Sequence, residues 1–282
     1  MPRRAVAAAL LLFPLLAFVN VQALFAQNKP QSSQSAIAKF VGSWKEDLSK
    51  RKGAMQMLTF RQNANAGLEE LRGSELRPLI QPVNFTGKPY SIDDSKNTIA
   101  WKQIDSNKFE RAIYNGGRLL NTRRIQLSAD GRTLTEETES ADSSGQKIIN
   151  TTVFRRESGD KGLVGRWRAE SSKSNTAPEV VYEAVGTNGI KLTTRGGNPN
   201  TVTAMLDSKP VAVVGDAVIS GTMTAVRQVD GSTLEFTGSR EATVTGKSVR
   251  VVSPDGKTMT VTNTNLGPNA SKEPFVTVWV KQ

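Results

Sequence analysis

The chain contains no cysteine and no histidine, and aromatic residues make up only 6% of its 282 residues. Without cysteine there is no disulfide framework, no thiolate zinc site, no thiol nucleophile and no cysteine-borne lipid anchor. Without histidine there is no Ser-His-Asp triad, no imidazole metal ligand and no axial histidine for haem. Carboxylate or Ser/Lys chemistry is all that is left to an enzyme. Cations exceed anions, 37 Lys and Arg against 26 Asp and Glu for a formal charge of +11. The clusters are small (Lys50-Arg51-Lys52, Arg123-Arg124, Arg155-Arg156), without the interleaved aromatics of a nucleic-acid groove. No specific nucleic-acid partner is expected, whereas an anionic envelope surface suits such a charge.

Met1-Pro2-Arg3-Arg4 makes a positive start, Ala5 through Val19 is apolar almost throughout, and Leu24-Phe25-Ala26 forms a cleavage box. The apolar run, about 15 residues, is short of the roughly 20 that span a bilayer. Residues 1–26 therefore read as a signal peptide cleaved near Ala26. The mature protein is expected to be exported, to the periplasm or the outside. Residues 27–38 read as a disordered leader, because Pro30-Gln31-Ser32-Ser33-Gln34 has no apolar period, with only a weak helical pattern at Ala36–Phe40.

The sequence repeats itself. Phe40-Val41-Gly42-Ser43-Trp44-Lys45 returns 123 residues later as Leu163-Val164-Gly165-Arg166-Trp167-Arg168. Lys102-Gln103-Ile104-Asp105 returns as Arg227-Gln228-Val229-Asp230, Asp130-Gly131-Arg132-Thr133 as Asp255-Gly256-Lys257-Thr258, and Thr152-Val153-Phe154 as Thr277-Val278-Trp279, each 125 later. Ordered matches at a near-constant offset mean two copies of a whole domain. The reading places the copies at 39–157 and 163–282, joined by a polar linker at 158–162.

Both copies are rich in Thr, Val and Ile, with turn signals such as Asn115-Gly116-Gly117, Ala129-Asp130-Gly131, Asp230-Gly231 and Pro254-Asp255-Gly256. Runs of alternating character lie between them, for example Ser248–Val252 and Phe275–Val280. This predicts an all-β protein of two tandem antiparallel up-and-down β-barrels, since closure hides the strand edges. Two-sheet β-sandwiches are the alternative.

Each copy opens on Gly-x-Trp followed by Ser-Lys (Gly42, Trp44, Ser49-Lys50; Gly165, Trp167, Ser172-Lys173) and carries an Asp-Gly-Arg/Lys-Thr hairpin. Each closes on an aromatic followed by a cation, Phe154-Arg155 and Trp279-Val280-Lys281. On these motifs the chain resembles bacterial lipocalin-like domains of the calycin superfamily, over nearly all of residues 40–282. The resemblance implies that Gly42 and Gly165 let the first strand pass the barrel bottom, that Trp44 and Trp167 plug it, and that a last-strand cation lies over each indole. Carried over within each copy, Trp44 would meet Arg155 or Arg156, and Trp167 would meet Lys281. The Thr-Asp-Tyr motif, the disulfide and the long helix of true lipocalins are missing, and the lack of histidine removes haem.

Candidate carboxylate groupings are Glu136-Glu137 with Glu139, and Asp93-Asp94. On a strand Glu136 and Glu137 point to opposite faces, and these acids read as solvated strand faces. Gly116-Gly117 and Gly196-Gly197 are hairpin glycines, not phosphate loops, since no helix follows. No catalytic constellation, metal site or cofactor is expected. A barrel can instead hold a ligand. Trp101, Phe109, Ile113 and Tyr114 in the first copy, and Met223, Leu234 and Phe236 in the second, are the apolar residues expected inside, with Arg111 or Arg124 as an anchor for a carboxylate. The same residues also read as ordinary core. The expectation is an exported non-catalytic protein binding a small apolar or amphipathic ligand in one or both barrels. The alternative is a structural or interaction module of the envelope with packed barrels.

Overall fold

The computed structural model describes residues 37–53, 57–72, 79–92, 96–142, 144–196, 199–216, 218, 220–266 and 274–282. The expected signal segment 1–26, the leader as far as residue 36, Asp93-Asp94 and Gly197 lie outside the described residues.

Among the described residues, twenty strands make up the fold. They are β1 (Gly42–Glu46), β2 (Met57–Gln62), β3 (Leu68–Arg72), β4 (Leu79–Val83), β5 (Tyr90–Ser91), β6 (Asn97–Gln103), β7 (Lys108–Asn115), β8 (Arg118–Leu127), β9 (Thr133–Ala141) and β10 (Lys147–Ser158). There follow β11 (Gly165–Ser174), β12 (Glu179–Val185), β13 (Gly189–Arg195), β14 (Asn200–Met205), β15 (Val211–Ala212), β16 (Thr222–Asp230), β17 (Thr233–Arg240), β18 (Thr243–Val252), β19 (Thr258–Asn265) and β20 (Phe275–Lys281). They form two antiparallel 10-stranded sheets, each curled into a barrel around its own apolar core.

The repeat is visible at the level of atoms. In the β8–β9 turn Gly131 has φ +67° and Asp130 Oδ1 accepts from the Arg132 N–H at 3.0 Å. In the β18–β19 turn Gly256 has φ +72° and Asp255 Oδ1 accepts from the Lys257 N–H at 3.1 Å. Asp-Gly works here because the carboxylate folds back on the backbone and glycine takes the left-handed position.

The sheets do not coincide with the contiguous segments 39–157 and 163–282. One sheet runs β4-β3-β2-β11-β10-β9-β8-β7-β6-β5, and the other β14-β13-β12-β1-β20-β19-β18-β17-β16-β15. Each Gly-x-Trp strand thus sits in the other copy's barrel. β11 pairs with β10 and β2 and so gathers the uninterrupted stretch β2 to β11 into a first, open barrel. β1 lies between β12 and β20 and completes the second barrel. The stretch expected to link two domains is instead the hairpin turn between β10 and β11, with Gly159 and Gly162 at positive φ. Sequential strands joined by a short turn pair by default. The barrels are therefore joined by the 47–56 and 175–178 connections.

Ile37 and Phe40, both 1% exposed, pack with Trp44 into the core of the second barrel. Residues 37 and 38, expected as the end of the leader, thus belong to the described fold. The second barrel nearly closes, since Thr201 and Val214 exchange backbone hydrogen bonds of 2.7 and 2.9 Å between β14 and the chain after β15. In the first, no ladder joins β4 to β5 among the described residues, and the Tyr90 hydroxyl bridges the gap by donating to the Pro82 carbonyl.

Candidate functional site

Both barrel bottoms are built alike. Trp44 Nε1 donates to the Phe40 carbonyl at 2.7 Å, and Trp167 Nε1 to the Leu163 carbonyl at 2.9 Å. The cations over the indoles come from the other copy than expected. Lys281 Nζ lies 5.2 Å above Trp44, and the Arg156 guanidinium 4.0 Å above Trp167. Arg155 faces outward to Glu170 and meets neither indole. Gly42 and Gly165, at φ +123° and +144°, stand under these cations. A Cβ on Gly42 would press on Lys281 Cε, and one on Gly165 would collide with the Ser158 carbonyl. These residues close the bottoms and leave the interiors above them as the places where function can reside.

The interior of the first barrel is filled by charge. Glu70, fully buried, receives the guanidiniums of Arg72, Arg111 and Arg123. Glu136 receives Arg72 and, at 3.3 Å, Arg123. Gln81 accepts from Arg111 at 3.2 Å. Burial alone would push the Glu70 carboxyl up. The three guanidiniums outweigh it and hold the group at about 2. Glu136 is held low in the same way by Arg123 and Arg72. Burial lowers Arg123 to about 9, and its neighbours Arg111 and Arg72 add to the effect. Two inward carboxylates thus share one interior, but both stay ionised. A glycosidase pair needs one member whose proton is retained for the leaving group. Arg72 moreover bridges the two.

The second barrel holds a cavity of about 320 Å³ that opens to solvent. Its walls include Leu192, Val202 and Phe236 together with Thr194, Ser248 and Arg250. The Arg250 guanidinium lies over the Phe236 ring, 3.9 Å from its centre, and donates to the Tyr182 hydroxyl. Burial raises the Tyr182 hydroxyl above its ordinary value, so it remains protonated. Arg250 Nε and Ser248 Oγ are buried with no hydrogen-bond partner.

The cross-strand rows make the two interiors comparable residue by residue. In the first barrel a row runs Gly165, Phe60, Glu70, Gln81. In the second it runs Gly42, Tyr182, Leu192, Val202. The rows from the last strands likewise align Arg111 with Phe236, Arg123 with Ser248, Ile125 with Arg250 and Glu136 with Val261. Arg72, opposite Leu58, aligns with Thr194, opposite Val180. Every member of the ion network is therefore replaced by a neutral residue in the second barrel. The cavity lies where the first barrel keeps its salt bridges.

Of the residues expected inside, Trp101, Phe109 and Arg111 are buried in the first barrel and Ile113 packs at the core's edge. Phe236 lines the cavity, and Leu234 is core. Tyr114 is half-buried and outside the core cluster. Met223 lies on the opposite face of β16 from the buried Thr224 and Val226. Arg124 faces solvent, paired with Glu110, Glu137 and Glu139. The inward arginine is its neighbour Arg123, a slip of one residue that reverses the face. Glu136, expected to be solvated, is 4% exposed. Glu70, Arg72, Gln81, Ser248 and Arg250 were not anticipated. Setting the copies side by side would have exposed Glu70, since Leu68-Glu69-Glu70-Leu71-Arg72 stands where the alternating Ile190-Lys191-Leu192-Thr193-Thr194 runs.

An outer groove of about 380 Å³ lies on the solvent face of β16–β18. Its charges, Arg227 and Glu235, satisfy each other in two hydrogen bonds of 3.0 and 3.1 Å. No protein-family model matches this chain, and no curated protein sequence does.

Proposed function

We propose that this is an exported, non-catalytic protein of lipocalin-like architecture that binds one small amphipathic molecule in its second barrel. The first barrel serves as its structural partner. The observation that carries the reading is the 320 Å³ cavity at positions the first barrel fills with side chains. Two copies of one framework have taken opposite solutions: one interior is filled by its own ion pairs, the other leaves room and polar groups for a guest. The volume is at the small end of ligand pockets, and mixed apolar and polar walls suit orientation of one compact guest. The envelope-surface alternative has less support, because surface cations such as Arg124 and Arg155 already have carboxylate partners.

The test is uptake of an environment-sensitive apolar fluorophore, with native mass spectrometry of protein isolated from its own host. The intact protein should bind one equivalent. Gly238→Leu should abolish uptake without unfolding, because Gly238 lines the cavity and a Cβ there meets nothing nearer than 3.7 Å. No uptake by the intact protein, or uptake unchanged by Gly238→Leu, would overturn the proposal.

A further inference from the structure

We infer that the guest of the second barrel is an anion, its carboxylate or equivalent acidic head seated between Arg250 and Ser248 on β18. This rests on the reading of the cavity as a ligand site, and adds the chemical class of the ligand.

Three observations converge on it. Arg250 and Ser248 are two apart on one strand and so share the inward face. Each presents a buried polar atom with no partner, Nε and Oγ respectively. Buried donors without acceptors are rare and costly in folded proteins. Second, no carboxylate lines the cavity or pairs with Arg250 among the described residues. The nearest acid on the neighbouring strand, Glu235, faces outward to Arg227 and Lys247. Third, the first barrel shows that this framework pairs its interior arginines with carboxylates, even though Arg111 and Arg123 also leave Nε without a hydrogen-bond partner. There Glu70 and Glu136 answer the guanidiniums. The second barrel has Leu192 and Val261 at those two positions and still carries an arginine. The missing acid is thus expected from outside the chain.

The seat is also preorganised. The Phe236 ring lies under the guanidinium, and the Tyr182 hydroxyl holds one of its nitrogens. Little rotamer freedom is left to lose when an anion arrives, and charge-assisted bonds of this type are among the strong ones. Leu192, Val202 and the free part of the Phe236 ring leave an apolar wall for the body of the guest.

The experiment titrates the full chain with octanoate, 1-octanol and octylammonium by calorimetry, so that one tail carries three heads. Octanoate should bind at least about tenfold more tightly than either other probe, as one or two charge-assisted bonds imply. Arg250→Met should remove that preference and leave octanol binding unchanged. Ser248→Ala should weaken octanoate a few-fold, and Arg250→Lys should retain part of the preference. Near-ultraviolet circular dichroism checks that each variant is folded. Equal binding of all three probes, blocked by Gly238→Leu, overturns the anion inference and leaves the cavity reading standing. Binding of none overturns both. An octanoate preference that survives in Arg250→Met places the head elsewhere and overturns the inference alone.

Discussion

Trp44 lies beneath Lys281, a residue from the last strand of the other copy. In register, Lys45 faces Val280 across β1 and β20, while its counterpart in the first barrel, Arg168, faces Arg155. Antiparallel partners sit within disulfide reach, and the chain contains no cysteine to interfere. Lys45→Cys combined with Val280→Cys should therefore crosslink under mild oxidation, read as a mobility shift reversed by reductant. Lys45→Cys with Arg155→Cys should not. The opposite pattern would rule out the strand exchange.

The two bottom cations should differ in weight. Arg156 stacks at 4.0 Å and donates to the carbonyls of Gly131, Gly162 and Val164 at 2.6, 2.5 and 2.7 Å. Lys281 stacks at 5.2 Å and reaches one carbonyl, that of Lys39, at 3.2 Å. Arg156→Ala should cost about 2–4 kcal/mol in urea unfolding and Lys281→Ala about 1 kcal/mol or less. Equal losses would mean that stacking and carbonyl bonding contribute little here.

Acid should attack the first barrel first. The ordinary value of Glu70 is 4.5 and its folded value about 2. A carboxyl lowered on folding contributes stability that is complete above the higher value and lost as pH falls toward the lower. Stability should therefore drop between about pH 4.5 and 2 as the network is protonated, as followed by the fluorescence of Trp101 and Trp167. Glu70→Gln should cost about 3–5 kcal/mol at pH 7, because three guanidiniums lose their shared anion, and should flatten the acid limb. An unchanged acid limb in Glu70→Gln would show that Glu70 does not control it.

Arg123 should be the dispensable arginine. Three guanidiniums share two carboxylates; Arg72 and Arg123 each reach both acids, but Arg123 does so at the longer distances of 3.1 and 3.3 Å and is pulled down to about 9 by burial and by Arg111 and Arg72. A base lowered on folding costs stability while pH is below its folded value, and the cost fades above it. Arg123→Met leaves a balanced set and should cost no more than about 1 kcal/mol, whereas Arg72→Met should cost about 3–5 kcal/mol. The deficit of the wild type relative to Arg123→Met should shrink above about pH 9. Comparable losses for the two variants would refute the ranking.

The all-β pattern and the duplication could be read from residues because each is local: a turn pair, an alternation, a motif returning at constant offset. The strand exchange could not. β1 and β11 share Gly-x-Trp followed by a cation, so the motif alone does not choose between the slots, and the short β10–β11 turn favours the pairing seen. The interiors were half legible. Trp101, Phe109 and Arg111 fall on a clear alternation, but Arg123-Arg124 and Glu136-Glu137 are like pairs, and a like pair gives no clue to which member points inward. Arg250 hides among Val249, Val251 and Val252, in a strand apolar on both faces.

The position of β1 also sets an order of events. The first barrel uses one uninterrupted run of chain, β2 to β11, and can finish while later residues are still being synthesised. β1 is made before all of them and is seated after all of them, once β12 and β20 exist to flank it. Until then Ile37, Phe40 and Trp44, fully buried at the end, have no core to enter. Contacts so distant in sequence form slowly. An interrupted chain therefore leaves a finished first barrel and an unfinished second one, with the second barrel's cavity the last part of the fold to come into being.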